Sequence, residues 1–225
     1  MSRDRWVRTV EVEPSLYAAD FARLGEQIET LLSAGARIFH FDIGDGHFVE
    51  PITMGPVVLE SIAPLVHREK GVLDCHLMVD QPDHHFGALQ SAGADSVTLH
   101  IEAVADPHAS TAKAREHGFQ VGLAIKPETP VEDAIAFAED FDLVLCMSIH
   151  PGYSGQEFMP EAIDRLRSLR AALPADVHLQ VDGGITIENI RSVHEAGADR
   201  IVCGTAIFGT EDLPRAYRRL VQQLA

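Results

Sequence analysis

The chain has 225 residues, enough for one large α/β domain, and a hydrophobic content of 46% that can supply a substantial core. Its 34 acidic residues outnumber 18 basic ones for a net charge of −16; with no Lys/Arg cluster to track phosphates, this argues against a nucleic-acid or anionic-membrane partner. No stretch approaches the roughly 18 apolar residues of a membrane span, and the polar start Met1-Ser2-Arg3-Asp4-Arg5-Trp6 has no apolar run behind it to make a signal peptide.

From the N-terminus onward, short β-rich runs alternate with amphipathic patterns. A strand is predicted over residues 10–16, then a helix over 21–34, where Phe21, Leu24, Ile28, Leu31 and Leu32 share one face. Strand 38–43 is followed by helix 54–65, strand 72–78 by helix 83–92, and strand 96–99 by a poorly marked helix over 107–117, mostly Ala and polar residues. Strand 120–125 leads to helix 131–139, strand 143–148 to helix 160–173, strand 177–181 to helix 187–196, and strand 200–203 to helix 212–224. An Ala-Gly-Ala tripeptide ends a helix before a strand three times, at Gly35, Gly93 and Gly197, where glycine suits a left-handed helix cap. Cys75, Cys146 and Cys203 all sit in apolar strand-like runs. Odd in number and without C-x-x-C spacing, they read as buried reduced thiols of a cytoplasmic protein.

Eight strands alternating with helices, and no linker-like tract, predict a single α/β domain over residues 1–225, a (β/α)8 TIM barrel with its core over about residues 10–224. A doubly wound open sheet would want a G-x-G-x-x-G turn after the first strand, and Pro14-Ser15-Leu16-Tyr17 is unlike it. In a barrel, active-site groups come from the C-terminal ends of strands. His40-Phe41-Asp42, Asp74-Cys75-His76 and Val181-Asp182 place imidazoles and carboxylates there, where charge is costly unless paired or bound to a metal. Unrelated polar caps are the plain alternative. Read together, His40, Asp42, His76 and Asp182 suit one divalent metal ion, Zn²⁺, Fe²⁺ or Mn²⁺, that holds vicinal oxygens of a substrate while carboxylates on opposite sides move a proton. The late loops carry Gly152-Tyr153-Ser154-Gly155, Gly183-Gly184 and Gly204-Thr205, whose backbone N–H groups can approach a phosphate.

As a set, several motifs resemble the ribulose-phosphate 3-epimerase family: Pro14-Ser15-Leu16 with Ala19-Asp20-Phe21, His40-Phe41-Asp42 leading to Asp45-Gly46-His47-Phe48-Val49, His76-Leu77-Met78-Val79, Pro151-Gly152-Tyr153-Ser154-Gly155-Gln156 and Val181-Asp182-Gly183-Gly184-Ile185. The resemblance runs in order from about residue 10 to about residue 210. It implies a metal-dependent isomerase that interconverts D-ribulose 5-phosphate and D-xylulose 5-phosphate, a small-molecule sugar phosphate, through an enediolate. It also implies a homo-oligomer. Its metal ligands fall on His40, Asp42, His76 and Asp182, its acid–base pair on Asp42 and Asp182. Its substrate contacts fall on Ser15, His76, Met78, Met147, Gly152, Tyr153, Ser154, Gly155, Gly183, Gly184, Gly204 and Thr205.

Some positions depart from the family pattern. Gly44 stands where methionine is usual, which is expected to enlarge the pocket or loosen its cover. Val49-Glu50-Pro51 replaces Val-Pro-Asn, Tyr153-Ser154 replaces Phe-Gly, His150 replaces Asn or Glu, and Thr205 replaces Ser. The alternative substrate is a related ketose phosphate such as D-allulose 6-phosphate, which Gly44 would accommodate. A barrel decarboxylase would want a lysine at a catalytic strand end, and Lys126 lies in Ile125-Lys126-Pro127, which some epimerases carry. A non-catalytic sugar-phosphate-binding barrel would have lost a proton-transfer group, whereas both are present. His67, His84, His85, His108, His117, His178 and His194 are read as solvated, and His47 and His100 as shaping loops at the mouth.

Overall fold

The computed structural model describes residues 10–224; the start at Met1 to Trp6, read above as no signal peptide, lies outside the described residues. Strands β1 (Glu11–Pro14), β2 (Ile38–Gly44), β3 (Val72–Met78), β4 (Ser96–His100), β5 (Gln120–Ile125), β6 (Leu143–Met147), β7 (His178–Asp182) and β8 (Arg200–Cys203) form one parallel sheet in the order β1-β8-β7-β6-β5-β4-β3-β2. A single parallel bridge between Ser15 and His40 joins β1 to β2, so the sheet curls into a nearly closed barrel. Helices α1 (Leu24–Ala34), α2 (Pro56–Arg68), α3 (Phe86–Ala92), α4 (Pro107–Glu116), α5 (Val131–Ile135), α6 (Ala162–Ala172), α7 (Ile190–Glu195), α8 (Thr205–Phe208) and α9 (Leu213–Gln222) alternate with the strands. The predicted (β/α)8 barrel is the fold observed.

Alternation along each strand divides the core in two. Phe39, Phe41 and Ile43 of β2 and Leu73, Cys75 and Leu77 of β3 pack outward with helix residues such as Ile28, Leu31, Leu59 and Leu89. Each such buried side chain contributes about 1.5–3 kcal/mol. Ala124, Leu143, Leu145, Met147 and Ile149 form a separate cluster inside the barrel. The intervening residues His40, Asp42, Asp74 and His76 therefore project into the interior.

Most differences from the predicted elements are local. Residues 21–23 form a 3₁₀ turn before α1, because the Asp20 side chain accepts the Ala22 N–H and tightens the entry. Residues 82–85 are also 3₁₀, opened by Pro82. Helix α5 stops at Ile135 instead of Glu139, and the poorly marked α4 forms with Asp106 capping the Ala109 N–H. The short α8, after β8, went unpredicted. Gly35, Gly93 and Gly197 all adopt left-handed backbone with φ of 109°, 96° and 112°, as helix ends that turn back into strands require. The three cysteines are buried and unpaired with one another.

Candidate active site and metal centre

Strand register sets the site's geometry. Asp42 on β2 lies opposite His76 on β3, His40 lies opposite Asp74, and Met147 on β6 lies opposite Asp182 on β7. The His76 Nδ1 is 3.1 Å from Asp42 Oδ1 and 3.9 Å from Asp182 Oδ2, and His40 Nε2 is 3.3 Å from Asp42 Oδ1. The ligand atoms of His40, Asp42, His76 and Asp182 all lie within 4.8 Å of one another. His40 Nε2 is buried without a hydrogen-bond partner among the described residues. A buried imidazole nitrogen beside a carboxylate and without a hydrogen bond fits a place for a cation, and two imidazoles with two carboxylates could bind a metal ion.

Each histidine is held from behind. His40 Nδ1 lies 3.1 Å from Asp74 Oδ2, an oxygen that also accepts from Gln180 Nε2 at 2.9 Å, while Ser96 Oγ donates to the other oxygen of Asp74 at 2.5 Å. Gln180 also reaches Glu13, beside which the fully buried Arg200 packs, Nε to Oε1 3.9 Å. His76 Nε2 lies 2.8 Å from His100 Nε2. Ser15 Oγ donates to Asp42 Oδ2 at 2.7 Å and so orients the central carboxylate.

The two carboxylates are electrostatically unlike when no cation is present. Burial raises the Asp42 carboxyl, but the charges of His40 and His76 and the His76 hydrogen bond outweigh it and hold the group well below the ordinary range. Asp182 goes the other way: burial and the neighbouring Asp42 charge push it up to about 6, against the pull of both histidines. Burial likewise pushes His100 down to about 4, although Glu102 beside it pulls upward.

Above the carboxylates opens a cleft lined by Ser15, Met78, Met147, Gly152, Tyr153, Ser154, Gly155, Gly183, Gly184, Gly204 and Thr205 along with Asp42 and Asp182. Gly183 and Gly184 have φ of 123° and 64°, and a Cβ on either would lie 2.4 Å from Ile149 or from the Phe158 backbone. Only glycine fits that turn.

A family model, the ribulose-phosphate 3 epimerase family, matches residues 11–208. The chain belongs to the ribulose-phosphate 3-epimerase family. It is 38% identical to a ribulose-phosphate 3-epimerase 2 of Cupriavidus necator over 96% of this chain and 92% of that one. It is 37% identical to the ribulose-phosphate 3-epimerase of Escherichia coli over 95% and 96%. Family membership makes it an enzyme of the isomerase class. The barrel is shared more widely: a solved 3-hexulose-6-phosphate synthase superposes with a TM-score of 0.72 at 18% identity, covering 96% of this chain and 100% of that one. No helix among the described residues is long and apolar enough to cross a membrane.

Against the family pattern, three site features differ from expectation. Gly44 does not enlarge the cleft: a Cβ there would meet the Pro51 carbonyl at 2.8 Å and Val49 Cγ2 at 2.9 Å, so the segment after β2 already fills that volume. The accommodation of a larger sugar through Gly44 loses its basis. His76 does not line the cleft but stands fully buried behind Asp42. His100, expected to shape a loop, is fully buried at the end of β4 with its ring 5.0 Å from that of His76. The Asp45-Gly46-His47-Phe48 motif is a turn built on Asp45, which accepts the N–H groups of His47 and Phe48 with one oxygen and that of Asp80 with the other. Sequence reasoning also missed Tyr17, Ile149, Pro151, Ile185 and Val202 in the lining, apolar or loop residues that carry no chemical signal of their own.

Proposed function

We propose that the protein interconverts D-ribulose 5-phosphate and D-xylulose 5-phosphate by removing the C3 proton from one face and returning one to the other. The observation that carries this reading is the pairing of Asp42 and Asp182 at the floor of one cleft, with glycine loops above them. Inverting a carbon next to a carbonyl needs two proton carriers on opposite sides, and Asp42 and Asp182 come from β2 and β7. One carboxylate takes the C3 proton to leave an enediolate, and the other, as the acid, protonates the opposite face. Without a cation, burial and the Asp42 charge push Asp182 up to about 6, so of the two carboxylates it is the readier to hold a proton.

A divalent ion, Zn²⁺, Fe²⁺ or Mn²⁺, would be held by His40, Asp42, His76 and Asp182, and when bound it supplies positive charge against the charge developing on the substrate's oxygens. Ser15 keeps Asp42 oriented, and Met78 and Met147 give an apolar wall that keeps water from the reacting carbon. The phosphate is received by backbone N–H groups of Gly152, Tyr153, Ser154, Gly155, Gly183, Gly184, Gly204 and Thr205. Neither Lys nor Arg is among the described residues lining the cleft, so neutral donors are what an otherwise acidic protein offers the anion. Three buried thiols fit a reducing compartment such as the cytoplasm, and the family resemblance adds self-association.

The test is turnover of ribulose 5-phosphate by protein stripped with a chelator and then reloaded with Zn²⁺, Fe²⁺ or Mn²⁺. Activity should vanish on stripping and return on reloading. Full turnover by metal-free protein rejects the metal's part, and no turnover by any folded, loaded form rejects the reaction.

A further inference from the structure

The His76 imidazole is one end of a buried relay that reaches the loop after β4. Its ring stacks on that of His100 with centroids 5.0 Å apart, and neither residue is exposed. His76 Nε2 and His100 Nε2 are 2.8 Å apart, and His100 Nδ1 is 3.0 Å from Glu102 Oε2. The other oxygen of Glu102 accepts from the Lys126 N–H at 2.8 Å and from the Thr129 hydroxyl, which pins the carboxylate to the loop after β5. On the opposite side, the Phe48 ring packs 4.8 Å from that of His100, with Lys126 Nζ 3.8 Å above Phe48. The relay is therefore fixed along its whole length.

Hydrogen counting decides its polarity. Ionised Glu102 can only accept, so His100 carries hydrogen on Nδ1. A second hydrogen on His100 would place a cation inside a fully buried ring stack, so its Nε2 keeps the lone pair. Only one hydrogen fits between two nitrogens 2.8 Å apart, and it then belongs to His76 Nε2. The nitrogen of His76 left to coordinate is Nδ1, which faces Asp42 and Asp182; without a cation it donates to the ionised Asp42 at 3.1 Å, and a bound cation would take that hydrogen's place.

We propose that His100 and Glu102 are positioning residues that fix the tautomer of His76 and so present its Nδ1, and not its Nε2, as a metal ligand. The ligand half of this statement rests on the metal centre proposed above. His40 is served in the same way with the nitrogens exchanged: Nδ1 meets Asp74 and Nε2 faces the site. One histidine thus has its carboxylate directly behind it, and the other has it one imidazole further away.

The experiment is a long-range ¹H–¹⁵N correlation spectrum of the metal-free protein, joined to Zn²⁺ titration against a chromophoric chelator. His76 should carry hydrogen on Nε2 and His100 on Nδ1. In His100→Phe, the His76 Nε2 hydrogen should lose its acceptor, shifting its ¹⁵N signal, and Zn²⁺ affinity should fall about 10–100-fold. His100→Gln, whose side-chain carbonyl can accept from Nε2, should recover most of that affinity. A His76 Nε2 without hydrogen in the wild-type protein, the shared hydrogen lying on His100 Nε2, overturns the proposal whether or not the variants fold, as does unchanged Zn²⁺ affinity in His100→Phe. A wild-type protein that takes up no Zn²⁺ yet shows the expected tautomers rejects the metal centre and leaves the tautomer assignment standing.

Discussion

The inside of this barrel has two unlike halves. Around β1–β4, β7 and β8, Glu13, His40, Asp74, Ser96, Thr98, His100, Gln180 and Arg200 are all buried. Across β5 and β6 the interior is Gly122, Ala124, Leu143, Leu145 and Met147, with no charge at all. The halves meet at Gly122, where a Cβ would lie 2.4 Å from Thr98 Oγ1 and 2.9 Å from Leu143 Cδ2. Buried polar groups are costly unless partnered, and most of those in the first half are engaged in holding His40, His76 or their partners. The apolar half needs no partners and provides filled volume. The polar half is thus built for orientation and the apolar half for cohesion, and substitutions should separate the two.

The largest contrast is between Asp74→Ala and Leu145→Ala. Each should cost about 2–5 kcal/mol of stability, one by stranding buried partners and the other by opening a cavity. Only Asp74→Ala should also weaken Zn²⁺ binding, about 10–100-fold, because it removes the acceptor behind His40. Chemical denaturation paired with metal titration checks both, and a metal defect in Leu145→Ala would erase the division.

Glu13→Gln sharpens the same contrast through pH. Burial, and the nearby Asp74 charge, raise the Glu13 carboxyl from 4.5 to about 8, with Arg200 offsetting this only in part. Folded protein then keeps a proton that the unfolded chain has released, so stability falls as pH rises from about 4.5 through about 8. Replacing Glu13 by Gln should remove that decline, up to roughly 4 kcal/mol, from denaturation curves compared at the two ends of the window. A wild-type curve that rises with pH in step with that of Glu13→Gln would count against a protonated Glu13. The smallest effect is expected at the mouth. Gly44→Ala must push against the Pro51 carbonyl and Val49 and should cost about 1–3 kcal/mol. A neutral or stabilising Gly44→Ala would show that the volume is open after all.

What the sequence displayed follows this division too. Strands were legible because Ile, Val and Leu runs end at His40–Asp42, Asp74–His76 and Asp182, and those ends are where the candidate site lies. The Ala-Gly-Ala helix ends were legible because a left-handed cap has one preferred residue. The Glu13–Gln180–Arg200 contacts were not, since they form only when β1 closes against β8 and β7. His100 was misread because its neighbours Ile101 and Glu102 look like a loop start, and nothing local places its ring on that of His76. Helix α8, Thr205–Phe208, is one turn long, too short to show a period.

The proposed action of Asp42 and Asp182 on opposite faces of one carbon is tested most directly by following C3 of ribulose 5-phosphate by NMR in D₂O. Metal-loaded wild-type protein should admit deuterium at C3 as xylulose 5-phosphate appears, whereas Asp42→Asn and Asp182→Asn should each lose about 10²–10⁴-fold in conversion. Conversion at the wild-type rate by either variant would contradict the account.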